Sequence, residues 1–315
     1  MENLIAALVF PGQGTQKTGM GKDFFDNIST SRETYQQAAD ALGWDVSAMC
    51  FEEDERLNLT EYAQPCILTT EIAMLRGIQE KHDFFPEYFS GHSLGEYTAL
   101  VAAGVIPLEV ALKIVQIRGR LMQNACPSGT GAMAAIISEN LNIEAIRSAL
   151  QDRAIDVANI NSSDQIVISG NADDMKTAEK RIKEVYGGDK PLRFILLNVS
   201  APFHSRFMES IGDEFGEVLN SFRPQIRAEN ADKVTSNFTG SFHTKLPEEI
   251  ISKLVSQLSG SVQWCKNMEV LIEKTENIWE IGPNRPLKGF FQSMGTKCRS
   301  ITNLKTAEKE LPMKN

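Results

Sequence analysis

Gly91-His92-Ser93-Leu94-Gly95 has the form G-x-S-x-G, and its flanks decide how the chain is read. The segment before it, Glu87-Tyr88-Phe89-Ser90, leans apolar and suits a strand, while Glu96 to Ala103 carries good helix formers. Strand, tight turn and helix are the setting of a nucleophile elbow, in which the serine stands at the apex. Glycines on either side are what such a turn needs, because it is strained and packed closely against its neighbours. The hydroxyl then sits at a helix N-terminus, where the dipole and free N–H groups favour developing negative charge. A glycine-rich turn with a capping serine reads the same over five residues. The rest of the chain must therefore supply a base, an oxyanion donor and a group that orients a substrate.

The 315 residues are 42% hydrophobic and 23% charged, with a net charge of −9. That is an ordinary globular composition, sufficient for one large domain or two unequal ones. The acidic balance argues against a nucleic-acid or anionic-membrane partner. No stretch approaches the length of a transmembrane helix. Cys50, Cys66, Cys126, Cys265 and Cys298 are scattered and form no C-x-x-C pair. This points away from a disulfide framework or a metal site and toward the cytoplasm. Leu4 to Phe10 is apolar but lacks a basic flank, and it runs into Pro11-Gly12-Gln13-Gly14, so it reads as a buried first strand rather than a signal peptide.

A glycine-rich loop at the end of a first strand is where an open α/β sheet binds ligands. The loop matches neither phosphate-binding glycine pattern, which leaves a close approach of Gln13 to a reacting group or a plain turn. Helical spacing runs from Ser31 to Leu42 and from Cys66 to Gln79, with Gln64-Pro65 at the entrance of the second helix. There Gln64 either points into a cleft or is a surface amide. Leu108 to Met122 is a further amphipathic helix; Arg118 and Arg120, two positions apart, lie on different faces. A guanidinium facing a cleft suits bidentate capture of a carboxylate.

Pro127-Ser128-Gly129-Thr130-Gly131 marks a boundary. Beyond it, strands are expected at 132–137, 155–160, 165–169 and 193–199, with helices at 143–150 and 173–186. That β-α-β-β-α-β order is the ferredoxin-like unit. The expected class is α/β: a large hydrolase-like domain with a parallel sheet (1–130 and 199–304) and an inserted ferredoxin-like subdomain (131–198). Further helices are read at 207–219, 246–258 and 262–274, with short strands at 234–236 and 278–281. Residues 305–315 are charged and poorly patterned, so fraying is expected there.

Of four histidines, His82 sits in a charged helix end, which suits solvent, and His243 in a Ser/Thr-rich loop. His92 is inside the elbow, too near Ser93 to be oriented easily as its base. His204 follows the subdomain where the chain re-enters the large domain, a junction that lines a cleft, and is preferred as general base for Ser93. Its orienting partner is open between Asp213, Asp232, Glu280 and a backbone carbonyl.

Together these pieces resemble the malonyl-CoA:acyl-carrier-protein transacylase family of fatty acid and polyketide synthesis. The resemblance rests on Phe10-Pro11-Gly12-Gln13-Gly14, Gln64-Pro65, Gly91 to Tyr97, Arg118-Gly119, Gly129 to Met133, Asn161-Ser162, Phe203-His204-Ser205, Val262-Gln263-Trp264 and Glu280 to Pro283, in family order. It implies Ser93 as nucleophile and His204 as base, the latter held by a main-chain carbonyl near Gln257. It implies an oxyanion hole from the N–H groups of Gln13 and Leu94. Arg118, rather than Arg120, would hold a malonyl carboxylate, with Gln64, His92, Asn161 and Gln257 lining the pocket. Phe203 before the histidine goes with malonyl in this family, where a Ser goes with methylmalonyl; Ala201-Pro202 departs from the commonest His-Ala pattern of modular synthases.

The implied activity is malonyl transfer from malonyl-CoA to an acyl carrier protein through an acyl-Ser93 ester. The enzyme is expected to be a cytoplasmic monomer that uses no metal or cofactor, CoA being a substrate. An acyl hydrolase of the same fold, a silent assembly-line scaffold and a generic esterase are the rivals. Arg118 speaks against the first and last, and intact Ser93, His204 and Arg118 against the second. A basic patch around Lys190, Arg285 or Lys288 is expected to meet the acidic carrier.

Overall fold

In the computed structural model, residues 5–127, 129–186, 191–199 and 201–313 are described. Their strands are β1 (Ala7–Phe10), β2 (Tyr88–Gly91), β3 (Gly131–Ile137), β4 (Ile155–Ser162), β5 (Gln165–Asn171), β6 (Arg193–Leu196), β7 (Thr235–Ser236), β8 (Ser241–Phe242), β9 (Ile278–Ile281) and β10 (Cys298–Ile301). The apolar run Ala7-Leu8-Val9-Phe10 is buried throughout because β1 is central to a parallel sheet of order β10-β9-β1-β2. Leu8 and Phe10 enter one core and Ala7 and Val9 another, as the period of two in a strand requires.

Residues 131–196 build the second sheet, antiparallel, of order β4-β5-β3-β6. With helices Ile143–Leu150 and Met175–Val185 this is the ferredoxin-like arrangement. Alternation on β3 divides its labour. Ala134 and Ile136 pack toward the two helices, while Met133 and Ala135 face the large domain and line a cavity there. Asn159 of β4 pairs with Val262, which ties this sheet to the large domain.

Several elements differ from expectation. The helix expected at 66–79 is Thr60–Lys81, so Pro65 lies inside it and Gln64 is buried on its second turn rather than at its entrance. β6 ends at Leu196, and the helix expected at 207–219 begins as a 3-10 turn, Arg206–Ile211. Where fraying is expected from Lys305, Leu304–Glu310 is a helix with a capping box at Asn303. Ala307 and Leu311 are buried against the main core. Two apolar residues at helical spacing suffice to dock a short helix whose other faces are charged. Lys190 lies outside the described residues.

Candidate active site

β1 and β2 end side by side, so the loop after Phe10 and the elbow after Gly91 meet at the carboxyl edge of the parallel sheet. His92 N–H donates to Phe10 O at 3.0 Å, which stitches the two together. Ser93 has φ +53°, a left-handed conformation that costs a non-glycine residue about 1–3 kcal/mol. A side chain at Gly95 would collide with the carbonyl of Phe10, so glycine is required for this packing.

The histidine that reaches Ser93 is His204: its Nε2 lies 2.7 Å from Ser93 Oγ. His204 also has positive φ, +56°, in a tight loop held by Ser205 Oγ on Pro202 O at 2.6 Å. Nδ1 of His204 donates to the main-chain carbonyl O of Gln257 at 2.8 Å. None of the three acids takes that place. Asp213 is exposed, Asp232 pairs with Lys245 at 3.0 Å, and Glu280 accepts from the amides of Leu287 and Lys288 at 2.9 and 3.0 Å. Burial, then the charge of Arg118, pushes the His204 imidazole down to about 3, against the opposing bond to Gln257. The ring is neutral at pH 7, Nε2 carries a lone pair, and it can accept the serine proton.

Arg118 is 1% exposed, whereas Arg120 faces solvent. Its helix, Leu108–Asn124, approaches Thr60–Lys81 closely because Gly119 has no side chain; a Cβ there would stand 2.5 Å from Thr60 O. The approach puts Gln64 Oε1 2.9 Å from Arg118 Nη1. Nη2 donates to Gln257 Oε1 at 2.9 Å and to Ser93 Oγ at 3.3 Å. Arg118 Nε has no partner among the described residues, and no acid there forms an ion pair with this cation. Burial pulls its pKa below the ordinary guanidinium value, yet a guanidinium remains charged in proteins.

The amide N–H groups of Gln13 and Leu94 have no acceptor among the described residues. Both line the cavity of about 740 Å³ that opens over Ser93, with Met133, Val167, Phe203 and Phe290 among its walls. A thioester there would meet a hydroxyl, a neutral imidazole, two free amides and a buried cation.

The chain matches the acyl transferase domain family over residues 7–259. It is 37% identical to the malonyl CoA-acyl carrier protein transacylase of Bacillus subtilis (strain 168), over 94% of this chain and 92% of that one. An acyl carrier protein S-malonyltransferase from Vibrio cholerae superposes with TM-score 0.87 at 34% identity, over 96% of this chain and 99% of that chain. A malonyl-transacylase solved in complex with its type II PKS acyl-carrier protein gives TM-score 0.85 at 33% identity, over 98% and 99%. The chain belongs to the malonyl-CoA:acyl-carrier-protein transacylase family.

Gln64, His92, Asn161 and Phe203 also line the cavity, whereas Gln257, expected in its wall, is fully buried behind Arg118 and is not part of the lining. His92 Nε2 donates to Asn161 Oδ1 at 2.9 Å, and burial lowers its pKa. His92 is thus held away from Ser93 Oγ by the small domain. His82, expected in solvent, is instead buried with Nδ1 2.8 Å from Pro312 O, and His243 is buried against Glu96 at 2.8 Å.

Sequence reasoning missed the support beneath the elbow of this transacylase family member. Asn237 Oδ1 accepts from Ser93 N–H at 2.6 Å; its Nδ2 donates to Gly91 O at 2.7 Å and to Asn267 Oδ1 at 2.9 Å. The one available signal was a polar residue directly after a short buried strand. Glu96 was visible within Gly95-Glu96-Tyr97, but an acid in a first helical turn reads as a dipole partner. Among the described residues no group of three or more His, Cys, Asp or Glu is arranged to hold a metal ion, and no helix is long and apolar enough to cross a membrane.

Proposed function

We propose that this chain transfers a malonyl group from malonyl-CoA to the phosphopantetheine thiol of an acyl carrier protein through an ester on Ser93. The observation that carries the reading is the buried Arg118 guanidinium, 3.3 Å from Ser93 Oγ and with no acid bonded to it among the described residues. An acyl group ending in a carboxylate satisfies that cation by a charge-assisted pair; a neutral acyl group leaves it unpaired. The named relatives act on malonyl-CoA and acyl carrier proteins.

Ser93 Oγ attacks the thioester carbonyl as its proton passes to His204 Nε2. The oxyanion is held by the N–H groups of Gln13 and Leu94. The C–S bond breaks, and CoA leaves as a thiol with the proton from His204. In the second half, the pantetheine thiol gives its proton to His204 and its sulfur attacks the ester. The C–O bond breaks and Ser93 recovers the proton. These steps balance without a metal or redox group, and they use one chain only, consistent with a monomer in the cytoplasm, where malonyl-CoA would be met. Arg285 is exposed beside the cavity-lining Pro286, which supports reading it as a contact for an acidic carrier.

Intact-mass analysis after incubation with a panel of acyl-CoAs tests the reading. A malonyl increment on Ser93, absent from Ser93→Ala and discharged by holo carrier protein, is expected. No increment, or an ester lost to water as fast as to the carrier, overturns it; the latter result would make the chain a hydrolase.

A further inference from the structure

Glu96 lies one helical turn beyond Ser93, fully buried, and touches neither reacting atom. Three donors converge on its carboxylate. His243 Nε2 meets Oε1 at 2.8 Å, while Gln257 Nε2 and the Asn237 amide meet Oε2 at 2.7 and 2.9 Å. The contact with Gln257 has a direction. A carboxamide accepts at one end and donates at the other, whereas an ionised carboxylate only accepts. Glu96 and the Ser93 carbonyl, the latter at 3.0 Å, both take Nε2 of Gln257. Oε1 must then face Arg118. The flipped amide would set a donor against Arg118 and an acceptor against the Glu96 carboxylate and the Ser93 carbonyl.

The same geometry manages charge. Glu96 stands one amide away from Arg118, and after Tyr97, whose ring centroid lies 5.2 Å from the guanidinium, it counters the burial that lowers the guanidinium pKa. An acid in direct contact would occupy the donors that a substrate carboxylate needs. At one amide's remove, the cation is oriented and partly offset, yet its Nε–H has no partner among the described residues.

We propose that Glu96 is a positioning residue for carboxylate selection, aiming Arg118 at the acyl pocket through the side chain of Gln257. The inference rests on the malonyl-transfer reading and adds the device that sets its selectivity.

The test compares malonyl-CoA with acetyl-CoA in acylation of Ser93, with thermal melting alongside. In Glu96→Gln the new NH2 faces either both Gln257 Nε2 and the Asn237 amide, or His243, whose ring accepts it only by moving its proton to Nδ1, and the counter-charge is gone. Malonyl kcat/KM is expected to fall about 30-fold, chiefly through KM, while acetyl kcat/KM changes less than about threefold. The double variant Glu96→Gln/Gln257→Glu keeps an amide–carboxylate contact with its ends exchanged, and puts the acid directly on Arg118. The proposal expects malonyl KM to stay high in that variant. Equal losses for malonyl and acetyl in Glu96→Gln overturn the inference and leave malonyl transfer standing. So does recovery of the wild-type malonyl-to-acetyl ratio in the exchanged pair, which a merely structural role predicts. A wild-type chain with no preference for malonyl overturns the proposed function and this inference with it.

Discussion

Nδ1 of His204 is held by the main-chain carbonyl of Gln257, at 2.8 Å, and by no carboxylate. A neutral acceptor fixes the tautomer but does little to stabilise an imidazolium. Burial and the Arg118 charge therefore prevail, and the ring is pushed down to about 3. In its proposed role as base, His204 stays neutral well below the ordinary histidine range near 6.5. The acid limb of kcat/KM for malonyl transfer is expected well under pH 6; a limb at about 6.5 would count against this electrostatic picture. Stability carries the same sign. Between about 6.5 and about 3 the unfolded chain binds this proton and the folded chain does not, so stability is present above that window and is lost as pH falls through it. His204→Gln should lose less stability than wild type between pH 6.5 and 4 in parallel denaturant titrations.

Among the described residues Arg118 makes no ion pair and rests on two neutral amide oxygens, from Gln64 and Gln257, both at 2.9 Å. Replacement by Ala removes the cation that donates to Ser93 Oγ. Malonyl kcat/KM is expected to drop by a factor of about 10² or more, since a buried charge-assisted pair is lost. Acetyl transfer, which never uses the cation, should be spared or improved. Steady-state kinetics with both thioesters decide the matter, and unchanged malonyl kinetics would remove Arg118 from its role.

Phe203 packs against the main core while also lining the cavity, one residue before His204. Its ring narrows the space in which a substituent on the α-carbon of the acyl group would lie. Phe203→Ser should raise the methylmalonyl-to-malonyl ratio of kcat/KM by about 10–100-fold, the range one methyl group commands in an apolar pocket. A competition assay read by mass on Ser93 measures it directly, and an unchanged ratio would place the selective contact elsewhere.

Much of the site was legible because its chemistry is local in sequence. An elbow announces itself in five residues, and β-branched and apolar runs mark β1 and the ferredoxin-like strands. Arg118 could not be told from Arg120 by pattern alone; what decides is Gly119, which lets two helices close up and buries one guanidinium face. The helix start at Thr60 was missed because Pro65 reads as a boundary, although the helix carries it in its second turn. The tail helix was missed because two buried apolar residues are too few to form a periodic signal. The polar support under the elbow was out of reach for another reason: Glu96, Asn237, Gln257 and Asn267 are far apart in sequence and meet only in three dimensions.

Asn237 is the test of that support. Its side chain spans the elbow from Gly91 O to Ser93 N–H, and its own amide donates to Glu96 Oε2. The turn holds Ser93 at φ +53°, and Asn237 occupies the Ser93 N–H that would otherwise be buried without an acceptor. The amide left for an oxyanion is then Leu94, one residue on. Asn237→Ala strands a buried donor at Ser93 and a buried acceptor at Gly91, at a cost of about 2–4 kcal/mol in denaturant-measured stability. A loosened elbow also misplaces Oγ relative to His204, and small misplacements of a reacting atom are costly. The malonyl kcat of this variant should fall at least about tenfold with KM little changed, because Arg118 and the cavity walls are untouched. Asn237→Asp separates the two roles: it keeps the acceptor for Ser93 N–H and removes the donor to Gly91 O. It should recover part of kcat if the serine amide is the contact that matters, and none of it if the carbonyl of Gly91 is.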